Sequence, residues 1–303
     1  MANIPSWVYK ILIVLATIIW GFSFVVMKDV VAVLPPAWLL GMRFLFAGAL
    51  LLVILRKRVM RFCSRKVVTY GFILGVLDFT AFWLQTVGLK YTTPGINAFL
   101  TATYCVLVPF AWWLIARKRP TAFNIVAAIV AVCGIWLVSV SSSGETLSIG
   151  FGEAMTLGCA VAFAAHIVAV SKFAQKCDAL VLTVFQFIAE GALGIIFGAA
   201  TETFPGVAAF TPEIIGQMLF LAVFASVVAF GIQNVSLAHV PPTQASLLLS
   251  LESVFGVVFS ILLYGEQMTL RLVVGFVLIF AAIVISETLP LKEKPCRRKT
   301  TSS

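Results

Sequence analysis

The chain has 303 residues, 61% hydrophobic and 11% charged, with a mean hydropathy of +1.09 and a formal net charge of +9. A soluble domain carries about 45–50% apolar and roughly 25% charged residues, so a water-soluble fold, a disordered chain and a disulfide scaffold are excluded. Nor does the charge mark a nucleic-acid partner, because the basic residues fall in short loops between apolar runs and build no basic, aromatic-interleaved face.

A helix needs about 20 apolar residues to cross the ~30 Å hydrocarbon layer. Runs of that length occur at 9–28, 37–55, 67–89, 93–115, 122–140, 153–172, 181–201, 212–235, 242–264 and 270–288. Continuous apolar character without period-2 alternation predicts helices rather than barrel strands. The first run exceeds a signal-peptide core and no small-x-small site follows it, so it is expected to remain as a span. Pro35-Pro36, Thr93-Pro94, Pro120, Thr211-Pro212 and Pro241-Pro242 stand at span starts, where a missing N–H costs little. Pro109 lies inside the fourth run and is expected to kink it, freeing a carbonyl about one turn earlier.

With the N-terminus inside, the inner segments hold 17 of the 21 basic residues, and the outer ones only Lys28, Lys90 and Arg271. Positive residues concentrate on the cytoplasmic side, so both termini are expected there, in a plasma or inner membrane. Cys63, Cys177 and Cys296 then face a reducing cytosol and are expected as thiols, while Cys105, Cys133 and Cys159 lie within spans.

The polar stretch Ser141-Ser142-Ser143-Gly144 suits a linker and leaves five spans on each side. Laying Leu89–Thr121 over Leu237–Thr269 without gaps, at an offset of 148, matches six of 33 positions, among them Pro94/Pro242 and Thr121/Thr269. A five-span unit enters and leaves on opposite sides, so its copy runs upside down. The expected fold is therefore all-α, ten transmembrane helices in two inverted five-helix repeats over 9–140 and 150–288, with a basic cytoplasmic tail at 289–303. Inverted repeats recur in secondary carriers.

Several motifs carry a resemblance. Trp20-Gly21-Phe22-Ser23-Phe24 closes the first span and Met42-Arg43-Phe44 lies in the second. Leu84-Gln85-Thr86-Val87-Gly88-Leu89 leads to Ala98-Phe99-Leu100-Thr101 and Leu107-Val108-Pro109. Gly152-Glu153, Gln233-Asn234, Leu251-Glu252-Ser253-Val254 and Gly265-Glu266 follow in the second half. Over roughly residues 10–288 the chain resembles the drug/metabolite transporter superfamily, specifically the family with two EamA domains. The resemblance implies a ten-helix carrier of small metabolites, often outward. The family usually has proline where this chain has Ser253, which puts the kink expected in span nine in doubt.

An ionisable side chain at membrane depth costs at least ~2.5–3.5 kcal/mol, so each is a functional candidate. Asp78 shares a stripe of span three with Gly71, Gly75, Phe82 and Gln85, and Glu190 follows Gln186 by four in span seven. Arg43 needs a partner, which Asp78, Glu190 or an anionic solute group would supply, and its nearness to the outer half allows some snorkelling. His166 is the membrane-depth histidine, next to Phe163. Asn97, Thr101 and Tyr104 share one face of span four, Ser246, Ser250 and Ser253 one face of span nine, and the overlay puts Tyr104 opposite Glu252. Trp20 and Trp83 would wall a cavity between such faces; Glu153 and Glu266 sit near span ends and are expected to be structural.

The resulting expectation is a secondary transporter, an exporter of small metabolites such as amino acids, working by alternating access between spans 1–4 and 6–9 with spans 5 and 10 as supports. Its partners are a small solute and the lipid bilayer, with proton coupling through Asp78 or Glu190. No cofactor, metal or catalytic residue is expected. The alternatives are an intramembrane enzyme, which would need a nucleophile–base pair or metal cluster that two histidines scarcely supply, and a channel or receptor without carrier activity.

Overall fold

The computed structural model describes residues 5–116, 119–139, 149–237 and 248–288. Its helices follow the apolar runs: α1 Ser6–Val33, α2 Pro36–Ile54, the short α3 Arg56–Phe62, α4 Arg65–Tyr91, α5 Pro94–Ala102, α6 Tyr104–Ala116 and α7 Ala122–Ser139. The second half contributes α8 Phe151–Phe173, α9 Ala179–Thr201, α10 Pro212–Phe220, α11 Ala229–Leu237, α12 Leu251–Tyr264 and α13 Leu270–Thr288. Among the described residues there is no strand. Seven helical stretches are long and apolar enough to cross a membrane by length and composition, and α7, α12 and α13 are shorter apolar helices. The linker at 141–144, Pro241-Pro242, Ser246 and the 289–303 tail lie outside the described residues.

Three runs are wound irregularly. The fourth is broken at Thr103, six residues before Pro109, which itself lies within α6. Thr103 N–H and Oγ1–H both donate to the Leu100 carbonyl, at 3.3 and 2.6 Å, which tightens that turn. The ninth run breaks the same way at Ser250. There Ser253 N–H and Oγ–H both donate to the Ser250 carbonyl, at 3.2 and 2.8 Å, so a serine's local hydrogen bonds produce a break that needs no proline. The eighth run joins α10 to α11 through a π-helical stretch, Leu221–Val228.

Glycines set the packing by letting backbones touch. Gly41, Leu45 and Gly48 of α2 meet Gly194, Gly191 and Ile188 of α9, so those helices run antiparallel. Gly71 and Gly75 of α4 meet Phe185 and Ala189, which makes α4 and α9 parallel. Gly88 meets Thr156 and Gly152 meets Thr92, so α4 and α8 are antiparallel, as are α7 and α13 through Gly134–Ile279 and Gly275–Val138. Gly21 of α1 abuts Phe255 of α12, and Gly256 of α12 abuts Ala98 of α5.

The two ends of the bundle are tied differently. At one end the Glu202 carboxylate, just past α9, accepts from Ala37 and Trp38 N–H and caps α2. Glu266 there accepts from Thr93 Oγ1, Ser260 Oγ and Gly95 N–H, holding the start of α5 to the end of α12. Lys28 Nζ donates to the carbonyls of Leu89, Lys90 and Thr92 at the end of α4. The opposite, basic end carries Arg58, whose guanidinium pairs with Asp178 at 2.8 Å.

Candidate functional site

A cavity of about 210 Å³ lies in the middle of the bundle, larger than the ~150 Å³ space that admits a benzene ring. Eight of the ten sequence spans line it. α1 supplies Trp20, Ser23, Phe24 and Met27; α2 supplies Arg43; α4 supplies Asp78, Phe82, Gln85 and Leu89; Thr101 and Tyr104 come from α5 and α6. α8 adds Phe163, His166, Ile167, Val170 and Ser171, α9 adds Thr183 and Gln186, α11 adds Phe230 and Gln233, and Leu249 and Glu252 complete the wall. Neither α7 nor α13 contributes, and these two helices pack against each other.

One wall is a buried ionic cluster. Gln186 Nε2 donates to Asp78 Oδ2 at 2.6 Å, and His166 Nδ1 lies 3.5 Å from Asp78 Oδ1. Arg43 is 2% exposed, so it does not snorkel; its guanidinium lies over the rings of Phe44 and Phe82 at 4.8 and 5.2 Å. Glu190 and Asp78 are fully buried, and both act electrostatically on Arg43. Neither Glu190 oxygen has a hydrogen-bond donor among the described residues, and the Asp78 carboxyl and the Arg43 guanidinium both act on it electrostatically.

The π-helical stretch positions two wall residues. Ser226 Oγ–H donates to the Leu221 carbonyl five residues back, which is π spacing, and Ser226 Oγ accepts from Arg43 Nε at 2.9 Å. Trp20 Nε1 donates to the Ala225 carbonyl at 2.8 Å. Single π turns often mark functional sites because they re-aim backbone groups. On the opposite wall Tyr104 Oη donates to Glu252 Oε1 at 3.2 Å.

Of the residues singled out from sequence, the cavity gathers Trp20, Arg43, Asp78, Gln85, Thr101, Tyr104, His166, Gln186 and Glu252. Five described ones lie off its lining, among them Trp83, whose ring packs edge-on against Phe197, and Ser253, whose hydroxyl donates to the Ser250 carbonyl. Asn97 donates instead to Thr156 Oγ1 and the Gln85 carbonyl, Glu190 sits behind Asp78 and Arg43, and Ser250 is buried at the break before α12. Sequence reasoning named Phe82, Phe163 and Gln233 only as neighbours or as part of a motif, and did not name Phe230, Thr183 or Ser226, because aromatic and small polar residues are ordinary in spans. The glutamine of the Gln233-Asn234 motif was the one available signal.

Access differs between the ends. Ser23, Met27 and Leu89, toward the end tied by Glu202 and Glu266, are 9, 5 and 1% exposed. At the basic end Ser171 is exposed, and Ile167, Val170 and Gln233 are partly so.

A helical, apolar bundle around a buried cavity with an ionic wall is the build of a membrane transporter. Residues 7–140 and 150–288 each match the EamA-like transporter family, and the chain belongs to it. It is similar to a protein of Archaeoglobus fulgidus named uncharacterized transporter, 29% identical over 89% of this chain and 83% of the relative. Similar too are YvbV of Bacillus subtilis, also named uncharacterized transporter, at 26% identity over 95% of this chain and 94% of that protein, and the protein PagO of Salmonella typhimurium, at 27% over 95% and 96%. A crystal structure of 17% identity superposes with a TM-score of 0.66 over 94% of this chain and 99% of that one, and shares the fold.

Proposed function

We propose that the chain is a secondary carrier that exports small metabolites with an acidic or zwitterionic head group, amino acids among them, by alternating access. The observation that carries this reading is the buried cavity with Arg43, Asp78, Gln186 and His166 on one wall, reachable from one end. A guanidinium presents donors in a planar fork suited to a carboxylate. Only the Nε–H of Arg43 is engaged by a hydrogen bond to the protein among the described residues, which leaves its terminal nitrogens for a solute.

The helix pairing supports two inverted repeats. α2 packs antiparallel on α9 and α7 on α13, each the other's counterpart at the same place in its half. α4 against α8 is mirrored by the α10–α11 span against α1. With both termini on the cytoplasmic face of the cell membrane, the basic end faces the cytoplasm and the open cavity loads from inside, as an exporter must.

Arg43 offers one fixed positive charge to two carboxyl groups, Asp78 and Glu190. The cluster is neutral when one of its carboxyls holds a further proton. That proton is the coupling ion in our reading, with His166 and Asp78 on the cavity wall and Glu190 behind them. Counterflow of labelled amino acids in proteoliposomes tests carrier action. Saturable exchange is expected, along with stimulation by a pH gradient that is abolished in Asp78→Asn and in Glu190→Gln. Exchange with unchanged pH dependence in both variants would end the coupling assignment, and exchange that never saturates would indicate a pore.

A further inference from the structure

A second pocket, of about 420 Å³, lies at the basic end between the α3–α4 turn and the α8–α9 turn, and shares no lining residue with the central cavity. Lys66 and Ser64 line it from the first half of the chain, Lys176 and Gln175 from the second, and Phe62 and Asp178 also reach it. Asp178 does not neutralise the lysines. Its carboxylate is held by Arg58 through Nε at 3.0 and 3.1 Å and Nη2 at 2.8 Å, and it accepts from Val181 N–H as the cap of α9. Among the described residues neither lysine has an acidic partner; the Lys66 ammonium lies 5.7 Å from the Tyr70 ring. The pocket therefore presents two uncompensated ammonium groups and a hydroxyl, which is the chemistry of a phosphate site.

The surroundings indicate where that phosphate comes from. Met60 and Phe62 of α3 are 75 and 42% exposed, and Val53 and Ile54, at the end of α2, are 69 and 61% exposed. Arg56, Lys57 and Arg61 share the same short stretch. A helix end with apolar side chains uncovered among basic ones lies in the bilayer interface, its apolar atoms in the acyl region and its charges at headgroup level. We propose that the pocket binds the headgroup of an anionic phospholipid, with Lys66 and Lys176 on the phosphate and the acyl chains along Val53, Ile54, Met60 and Phe62. The lipid would bridge the two halves of the chain at this end.

The test uses the full chain in mixed micelles, titrated with phosphatidylglycerol or phosphatidylcholine and followed by thermal unfolding and by native mass spectrometry. Phosphatidylglycerol is expected to raise the melting temperature and remain bound, and phosphatidylcholine to do neither. Lys66→Gln with Lys176→Gln is expected to weaken phosphatidylglycerol binding about thirty-fold, each lysine near the surface accounting for a factor of about five. Arg56→Gln with Lys57→Gln, the same change in charge outside the pocket, is expected to leave most of it. Equal loss in both double variants, or no preference for the anionic lipid, would overturn the site. An equal shift with inorganic phosphate alone would overturn the lipid as its occupant. If Lys→Gln changes lower the yield of folded protein, Lys66→Arg with Lys176→Arg keeps the charge and is expected to keep binding; loss of binding there would also overturn the assignment.

Discussion

Arg43 shows how a single residue in an apolar bundle is held in place. Its guanidinium is covered by two rings, tied by Nε to Ser226 and balanced by two buried carboxyls. Removing one partner of a buried charge cluster costs about 3–5 kcal/mol, because the others are stranded, whereas removing compensating charges together costs far less. Arg43→Met alone is therefore expected to lower unfolding stability by that amount, and Arg43→Met with Glu190→Gln to recover most of it. Additive losses in a denaturant double-mutant cycle would show that the groups do not interact. Arg43→Lys is expected to fail as a replacement, since an ammonium cannot donate through Nε to Ser226 while stacking on Phe44 and Phe82. Ser226→Ala tests the same hold more gently, with weaker solute binding as its expected mark.

Outside the bilayer the Arg58–Asp178 pair makes a pH prediction. Partial burial works to raise the Asp178 carboxyl, but the Arg58 hydrogen bonds and the Val181 N–H outweigh it and bring the group below its ordinary 3.8. A carboxylate depressed in the folded state contributes stability that is fully present above pH 3.8 and is lost as pH falls through the lower folded value. Wild type and Arg58→Ala are thus expected to differ in melting temperature at neutral pH and to converge below about pH 3.8. The gap is small, because a half-exposed pair contributes only about 0.2–1 kcal/mol.

At the scale of elements, the helices were legible because the bilayer imposes one length on apolar runs; all ten runs contain helix in the described residues, and seven of the helical stretches are long and apolar enough to cross a membrane. The π winding of Leu221–Val228 was not, since nothing in Leu-Ala-Val-Phe-Ala-Ser-Val-Val separates i−5 from i−4 bonding; tertiary ties from Trp20 and Arg43 accompany it. Asn97 shares the helix face of Thr101, four residues on, as its spacing suggests, but its amide donates to Thr156 Oγ1 and the Gln85 carbonyl and it stands off the cavity lining. Charged residues announced the cavity because their burial is costly, whereas the phenylalanines in its wall carry no such signal. The α2–α9 seam supplies this scale's prediction. A Cβ on Gly194 would stand 2.6 Å from Gly41 Cα, and both are backbone positions in packed helices, so something must shift. Gly194→Ala is expected to destabilise by about 1–3 kcal/mol through overpacking. Gly216→Ala has open space and sits within α10, so it is expected to be neutral or stabilising by about 0.5–1 kcal/mol. Matching melting temperatures for the two variants would mean that the seam is loose.

For the whole molecule, the decisive property is one-sided access to a shared chamber. The end closed over Ser23, Met27 and Leu89 is the end fastened by Glu202, Glu266 and Lys28, whereas the basic end, which leaves Ser171 exposed, is joined by the Arg58–Asp178 pair. If the carrier alternates, the ties at the fastened end must release when the other end shuts. In a variant freed of its own cysteines, Ser171→Cys is therefore expected to react with a membrane-impermeant maleimide applied from the side of the basic end, and Ser23→Cys to resist reagent from both sides. Glu266→Gln weakens the clamp between α5 and α12, since a neutral amide is a poorer acceptor for Thr93, Ser260 and the Gly95 N–H than a carboxylate. It should expose Ser23→Cys to reagent from the far side while slowing the labelling of Ser171→Cys, because one chamber cannot favour both openings at once. Parallel gains at both positions would describe a bundle that has merely loosened, and would count against two alternating states.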